Sequence, residues 1–220
     1  MMLLVPLVLL WLLELVFDGQ PGTFDRIGPA LLALFPFTVM FLVTSVATLR
    51  ERTSGTLERL LSMPLGRLDL LLGYGLAFGL VAVVQALLAS ALMIVLLGLD
   101  VAGPTWLLVV VAVVDAVLGC ALGLFVSAFA RTEFQAVQFL PAIVLPQFLL
   151  CGLLVPRDEM GAVLEAISNV LPLSYAVDAM QRITVEPDIS TRVVADIAVI
   201  VAAIALALVL GAATLRRRTA

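Results

Sequence analysis

Thr105-Trp106-Leu107-Leu108-Val109-Val110-Val111-Ala112-Val113-Val114-Asp115-Ala116-Val117-Leu118-Gly119-Cys120-Ala121-Leu122-Gly123-Leu124-Phe125 holds a single acidic or basic side chain, Asp115. About twenty mostly apolar residues in one helix match the hydrocarbon thickness of a bilayer. With lipid around it, the backbone must satisfy its own hydrogen bonds, so the segment is expected to be a membrane-spanning helix. Extended to Ala130, it is the fourth of six such stretches. The others are Met1 to Phe17, Gly28 to Leu49, Leu70 to Leu97, Phe134 to Val155 and Val193 to Leu215. The first is at the short limit. The expected fold class is an all-α membrane protein with six transmembrane helices, forming a single domain over residues 1–220.

Composition agrees. Of 220 residues, 63% are hydrophobic and 13% charged, with a mean hydropathy of +1.22. Soluble domains are about half apolar and about a quarter charged. All twelve basic residues are Arg, and there is no His. Without Lys, a Walker-type phosphate loop is excluded, and so is Schiff-base chemistry. Without His, the commonest general base and zinc ligand are missing. An intramembrane protease would need a nucleophile with a supporting base, or two acids at similar depth, and only Asp115 lies deep. The chain is therefore not expected to be an enzyme.

Arginine placement sets the orientation, because cytoplasmic loops carry the excess of basic residues. Arg50, Arg52, Arg59, Arg67, Arg131, Arg216, Arg217 and Arg218 fall on one side of a six-span topology, with Glu51, Glu58, Asp69 and Glu133. The other side holds Arg26, Arg157, Arg182 and Arg192 against ten acids, including Asp196 at the mouth of the sixth span. The first side is expected to be cytoplasmic, with both termini inside. Met1 opens into apolar sequence without a basic flank or a small-residue cleavage site, and Glu14 interrupts the run. The expectation is a trimmed start rather than a cleaved signal peptide. Cys120 and Cys151 fall at different depths and are expected to be buried thiols.

The segment from Arg50 to Asp69 is the substantial loop on the Arg-rich side. Ser54 is suited to cap a short helix beginning near Gly55 or Thr56. Leu57, Leu60 and Leu61 share one face, Glu58, Arg59 and Ser62 the other, and Pro64 ends the helix. Such a helix suits two roles. It covers the bundle as an interfacial helix, or it presents its charged face to a cytoplasmic partner.

The run Arg50-Glu51-Arg52-x-x-Gly55-Thr56-Leu57-Glu58-Arg59-Leu60, followed by Pro64 and Gly73-Tyr74, resembles the signature loop of ABC type-2 permeases. These are membrane subunits of the drug-resistance and polyketide-export type of ABC transporter. Arg131-Thr132-Glu133-Phe134-Gln135-Ala136 resembles the family's second cytoplasmic turn. Pro141, Pro146, Gly152 and Val155-Pro156 resemble its proline-broken fifth helix, and Leu171-Pro172-Leu173-Ser174-Tyr175-Ala176-Val177-Asp178-Ala179 its outer Pro-x-Ser-Tyr segment. Two features depart from the family pattern. No basic elbow helix precedes the first span, and Gly161 follows Met160 where a Pro is common. The resemblance implies that Glu51, Gly55, Thr56, Leu57, Glu58 and Arg59 form a coupling helix docking on a separate ABC ATPase. That partner would carry the ATP and Mg, and this chain no cofactor or metal. It also implies a homodimer or heterodimer of permeases in the cell membrane, in contact with lipid and not with nucleic acid. The segment around Pro172, Ser174 and Tyr175 becomes a re-entrant lid. The implied function is ATP-driven export of a hydrophobic or amphipathic substrate such as a drug, lipid or polyketide-like molecule.

Polar groups within the spans mark a candidate path. Asp115 at mid-span costs about 2.5–3.5 kcal/mol unless it is partnered or wet. Two roles stay open for it, a mechanistic one and a structural one as a carboxyl that is protonated, or hydrogen-bonded to a neighbour such as Gln85 or Ser90. Gln135 and Gln138 share a face of the fifth span and Gln147 lies further along, with Pro141 and Pro146 expected to break the helix between them. These residues line a path beside the second and fifth spans, or they bond between helices. The alternative function is an ion-gradient-driven secondary transporter or channel. Asp115 allows it, and the lack of an inverted repeat argues against it.

Overall fold

The computed structural model of the chain describes residues 3–17, 22–54 and 67–214. Among these there are eight α-helices and no strand. We label them α1 (Leu4–Phe17), α2 (Thr23–Thr53), α3 (Arg67–Ala91), α4 (Thr105–Ser127), α5 (Glu133–Leu150), α6 (Ala162–Ser168), α7 (Pro172–Val185) and α8 (Thr191–Thr214). A π-helical turn, Leu92–Leu96, extends α3, and a single 3₁₀ turn, Arg157–Glu159, precedes α6.

Helices α2, α3 with its π turn, α4, α5 and α8 are each long and apolar enough to cross a membrane. The first expected span, α1, has 14 residues, about 21 Å at the helical rise and short of the ~30 Å hydrocarbon core. Exposed faces are apolar, as at Leu206 and Val209 on α8 and Leu145 and Leu149 on α5. A surface of that kind needs lipid as its solvent.

Helices α2 and α4 form the centre and make the most extensive contact in the molecule. Their closeness is written in Gly119 and Gly123, one turn apart on α4. A Cβ at Gly123 would lie 2.6 Å from the Phe41 carbonyl oxygen, and one at Gly119 would collide with the carbonyl of Phe37. Small residues spaced by four let membrane helices approach to backbone contact. Phe37, Met40 and Phe41 of α2 are thereby fully buried, with Leu108, Val111 and Leu118 of α4. Helices α3 and α8 flank α4, while α1 and α5 lie against α2.

Three structural expectations are corrected. Helix α2 does not stop at Leu49 but runs to Thr53, so Arg50, Glu51 and Arg52 are its last turn. Arg and Glu are good helix formers, and the Thr53 hydroxyl bonds back to the carbonyls of Leu49 and Arg50. Second, Pro141 and Pro146 do not break the fifth span, since α5 is continuous through both. Each proline removes one ladder bond, and bundle packing tolerates that loss in membrane helices. The helix instead ends at Leu150, five residues before the expected Val155. Third, Asp115 is fully buried but neither carboxylate oxygen has a hydrogen-bond partner, and Gln85 and Ser90 are unpartnered too. Gln85 is near the right depth, because Cys120 Sγ lies 3.6 Å from the Phe78 carbonyl oxygen and fixes the register of α3 on α4. Sharing a level does not make the two side chains meet. Cys120 and Cys151 are both buried free thiols.

Candidate functional site

The two ends of the bundle differ in chemistry. At one end α2, α4 and α5 terminate or begin together. Arg50 Nε and Nη2 donate to Glu133 Oε1 and Oε2 at 2.7 and 2.9 Å, a bidentate pair joining the last turn of α2 to the first turn of α5. Arg52 donates to the Ser127 carbonyl at the end of α4. Glu51 faces the Tyr74 hydroxyl of α3. The expected ATPase-docking residues divide here. Glu51 belongs to α2, whereas Gly55, Thr56, Leu57, Glu58 and Arg59 lie outside the described residues, as does the expected coupling helix.

The candidate path residues have separate surroundings. Gln135 caps the start of α5. Its backbone N–H donates to Thr132 Oγ1 at 3.2 Å, and its side-chain oxygen accepts from the Arg131 N–H at 2.9 Å. Gln138 is exposed on the next turn. Gln147, about 18 Å along the same helix from Gln135 at the α-helical rise, is buried. Its Nε2 donates to the Ile143 carbonyl, and its Oε1 accepts from the Leu173 N–H at 3.2 Å. The first turn of a helix leaves backbone donors without partners, and Gln147 satisfies one of them for α7.

The opposite end is built by the segment between α5 and α8. Pro172 occupies the first position of α7, where its missing N–H costs nothing. Helix α7 buries Leu173, Ala176, Val177, Met180 and Ile183, positions that share one helical face, against α2, α4 and α8. Ser168 Oγ and Ser174 Oγ both donate to the Leu150 carbonyl, at 2.8 and 3.4 Å, and so satisfy a carbonyl that the end of α5 leaves without a helical donor. The Tyr175 hydroxyl donates to the Asn169 carbonyl at 2.7 Å, and the Arg157 guanidinium lies 4.9 Å above its ring. The turn before α4 joins the far end of α7. The N–H groups of Ala102 and Gly103 donate to the carbonyls of Thr184 and Ile183, at 3.1 and 2.9 Å. Only glycine fits at 103, since a Cβ there would lie 2.6 Å from the Ile183 oxygen.

Between these elements opens a polar vestibule of about 800 Å³. Asp178 is its hub, with Arg182 at 3.3 Å and Arg157 at 3.9 Å, and Arg182 also reaches Glu186 at 3.5 Å. Asp196, on the second turn of α8, lines the same space and is 7% exposed. Asp25 accepts the Asp100 N–H at 3.2 Å on the wall formed by α2. Sequence reasoning placed Asp196 at a span mouth but did not single out Arg157, Asp178, Arg182 or Asp196 as a group. The available signal was the excess of acids on that side of the chain. No three acidic or thiol side chains converge as a metal site among the described residues.

The family model described as ABC-2 type transporter matches residues 1–185. Among curated proteins, the chain is 26% identical over 175 residues to a probable multidrug ABC transporter permease, YbhS, of Escherichia coli K12. That match covers 79% of this chain and 46% of the relative. It is 28% identical over 155 residues to a second such permease of the same organism, YbhR, covering 70% of this chain and 42% of the relative. ABC transporter G family member 20 of Dictyostelium discoideum is 26% identical over 167 residues, 75% of this chain and 23% of the relative. The chain thus spans less than half the length of each of these relatives.

Proposed function

Since this chain belongs to the ABC-2 type transporter family, we propose that it is the membrane subunit of an ATP-driven exporter whose ATPase is a separate chain. The Arg50 end faces the cytoplasm and the vestibule faces outward, in a multi-pass topology with α1 completing six spans. The observation that carries the reading is the course of α2. Its 31 residues, about 46 Å of helix, begin beside the vestibule and end at Thr53, two residues before Gly55-Thr56-Leu57-Glu58. A rigid element connecting a docking loop to the far side of a bilayer suits a subunit that receives its energy from below.

In this reading a short helix starting near Gly55 or Thr56 and stopped by Pro64 is the coupling helix, with Glu51, Gly55, Thr56, Leu57, Glu58 and Arg59 as the contact on the ATPase. ATP and Mg belong to that partner. Two permeases, identical or different, enclose the path, and ATP-driven closure of the ATPases switches it between two states. The α6–α7 segment with Pro172, Ser174 and Tyr175 serves as the lid at the outer end. The cargo is hydrophobic or amphipathic, and the names of the bacterial relatives support a drug-like molecule. A gradient-driven transporter is the second reading, favoured by the unpartnered Asp115.

Inside-out vesicles from the native host, with and without the chain, separate the two. The exporter reading expects chain-dependent accumulation of an amphipathic dye that vanadate abolishes and an uncoupler leaves intact. Accumulation that the uncoupler abolishes and vanadate spares overturns it.

A further inference from the structure

We propose that the vestibule is a binding site for an amphipathic amine, with Asp196 as the counter-charge of its ammonium group. Asp196 is buried to 7% exposure, lines the cavity, and has an oxygen, Oδ2, with no hydrogen-bond partner. A buried carboxylate oxygen left unpaired has lost its hydration without a replacement, so its environment asks for a donor.

The groups facing it do not supply that donor. Arg157, Arg182, Arg192 and Asp178 are all within electrostatic reach. Arg157 is committed to Asp178, the Asn169 side chain and the Tyr175 ring, and Arg182 to Asp178 and Glu186. With those arginines engaged, the rest of the wall is dominated by carboxylates, among them Asp25, Asp100, Asp158 and Glu165, against Arg26 and Arg192. The surplus charge is negative and selects a cation. A divalent metal is a poor fit, since no three acidic or thiol groups converge among the described residues.

A second buried atom on the wall refines the ligand. Arg182 Nε is also without a partner, so it has a donor to offer. Together the two define an ammonium with an ether, hydroxyl or carbonyl oxygen close by. The apolar remainder of such a molecule would lie toward Leu153 and the adjoining lipid. As a station for cargo the site rests on the exporter reading, whereas as a binding site it needs neither ATP nor a partner.

Propranolol is a suitable probe, being a fluorescent naphthyl ether that carries a hydroxyl beside a protonated amine. Naphthoxyacetate keeps the ring and ether but exchanges the amine for a carboxylate. Equilibrium dialysis against the full chain in nanodiscs, with empty nanodiscs subtracted, should give saturable binding of propranolol that naphthoxyacetate does not displace. Asp196→Asn should weaken it at least tenfold and Asp196→Glu less than threefold. Asp188→Asn, an exposed acid away from the cavity, should leave it within twofold. Binding no greater than in empty nanodiscs, equal affinity in a folded Asp196→Asn protein, or displacement by naphthoxyacetate overturns the proposal. If Asp196→Asn fails to fold, the wild-type and Asp196→Glu results decide it. Asp196-dependent binding in a chain that supports no ATP-driven export would instead leave the site standing and remove the exporter reading.

Discussion

Single atoms decide how closely the central helices approach. Gly123 admits the Phe41 carbonyl at a distance no Cβ tolerates. Gly123→Leu should therefore push α2 from α4 and cost about 1–3 kcal/mol or more, read as a lower melting temperature in detergent. Gly73→Ala is the control, since nothing lies within 4 Å of a Cβ there, and it should be neutral or stabilising by up to ~1 kcal/mol. Gln147→Leu should cost about 1–3 kcal/mol, because it leaves the buried Leu173 N–H without its acceptor. Residue identity announced none of these roles. Gln147 stood out in the sequence as a polar residue in an apolar run, which suits a path lining and a helix cap equally. Its bond to the Leu173 N–H at the start of α7 is visible only in the fold. Asp115 was legible as buried, but its lack of a partner depends on rotation about α4 and not on depth.

At the level of elements, apolar length was a good guide. The four stretches beginning near residues 28, 70, 105 and 193 are helices within a few residues at most of their ends. Charge was a poorer guide to where they stop. Arg50-Glu51-Arg52 reads as loop because it is polar, yet the bidentate Arg50–Glu133 bond and the Arg52 bond to Ser127 hold it as helix. The prolines of α5 misled in the opposite sense, since local propensity yields to packing. The Arg50–Glu133 pair is exposed, with 66% and 53% of its side chains open, so Arg50→Ala should leave the melting temperature in detergent nearly unchanged. Under the exporter reading its larger effect belongs to function, because it ties the helix leading to the proposed docking loop to the turn before α5. Arg50→Glu should lower ATP-driven export several-fold in vesicles, and Arg50→Glu with Glu133→Arg should recover it. An unaltered export rate in the single variant would mean that the pair is only structural.

For the whole molecule, the sequence carried the membrane class and the family. It did not carry the vestibule. That feature joins residues from positions 25 to 196, brought together only when α7 settles among α2, α4 and α8. The central claim concerns the source of the energy for transport. If an ATPase supplies it, Asp115→Asn should leave export within about twofold of wild type. If an ion gradient does, the same change should abolish transport. The most direct measurement is a tagged pull-down of the chain from mildly solubilised native membranes, with bound proteins identified by mass. The account predicts an ABC ATPase that co-purifies and is released by Glu58→Arg or Gly55→Trp. Recovery of the intact chain without any ATPase in several mild detergents would contradict it.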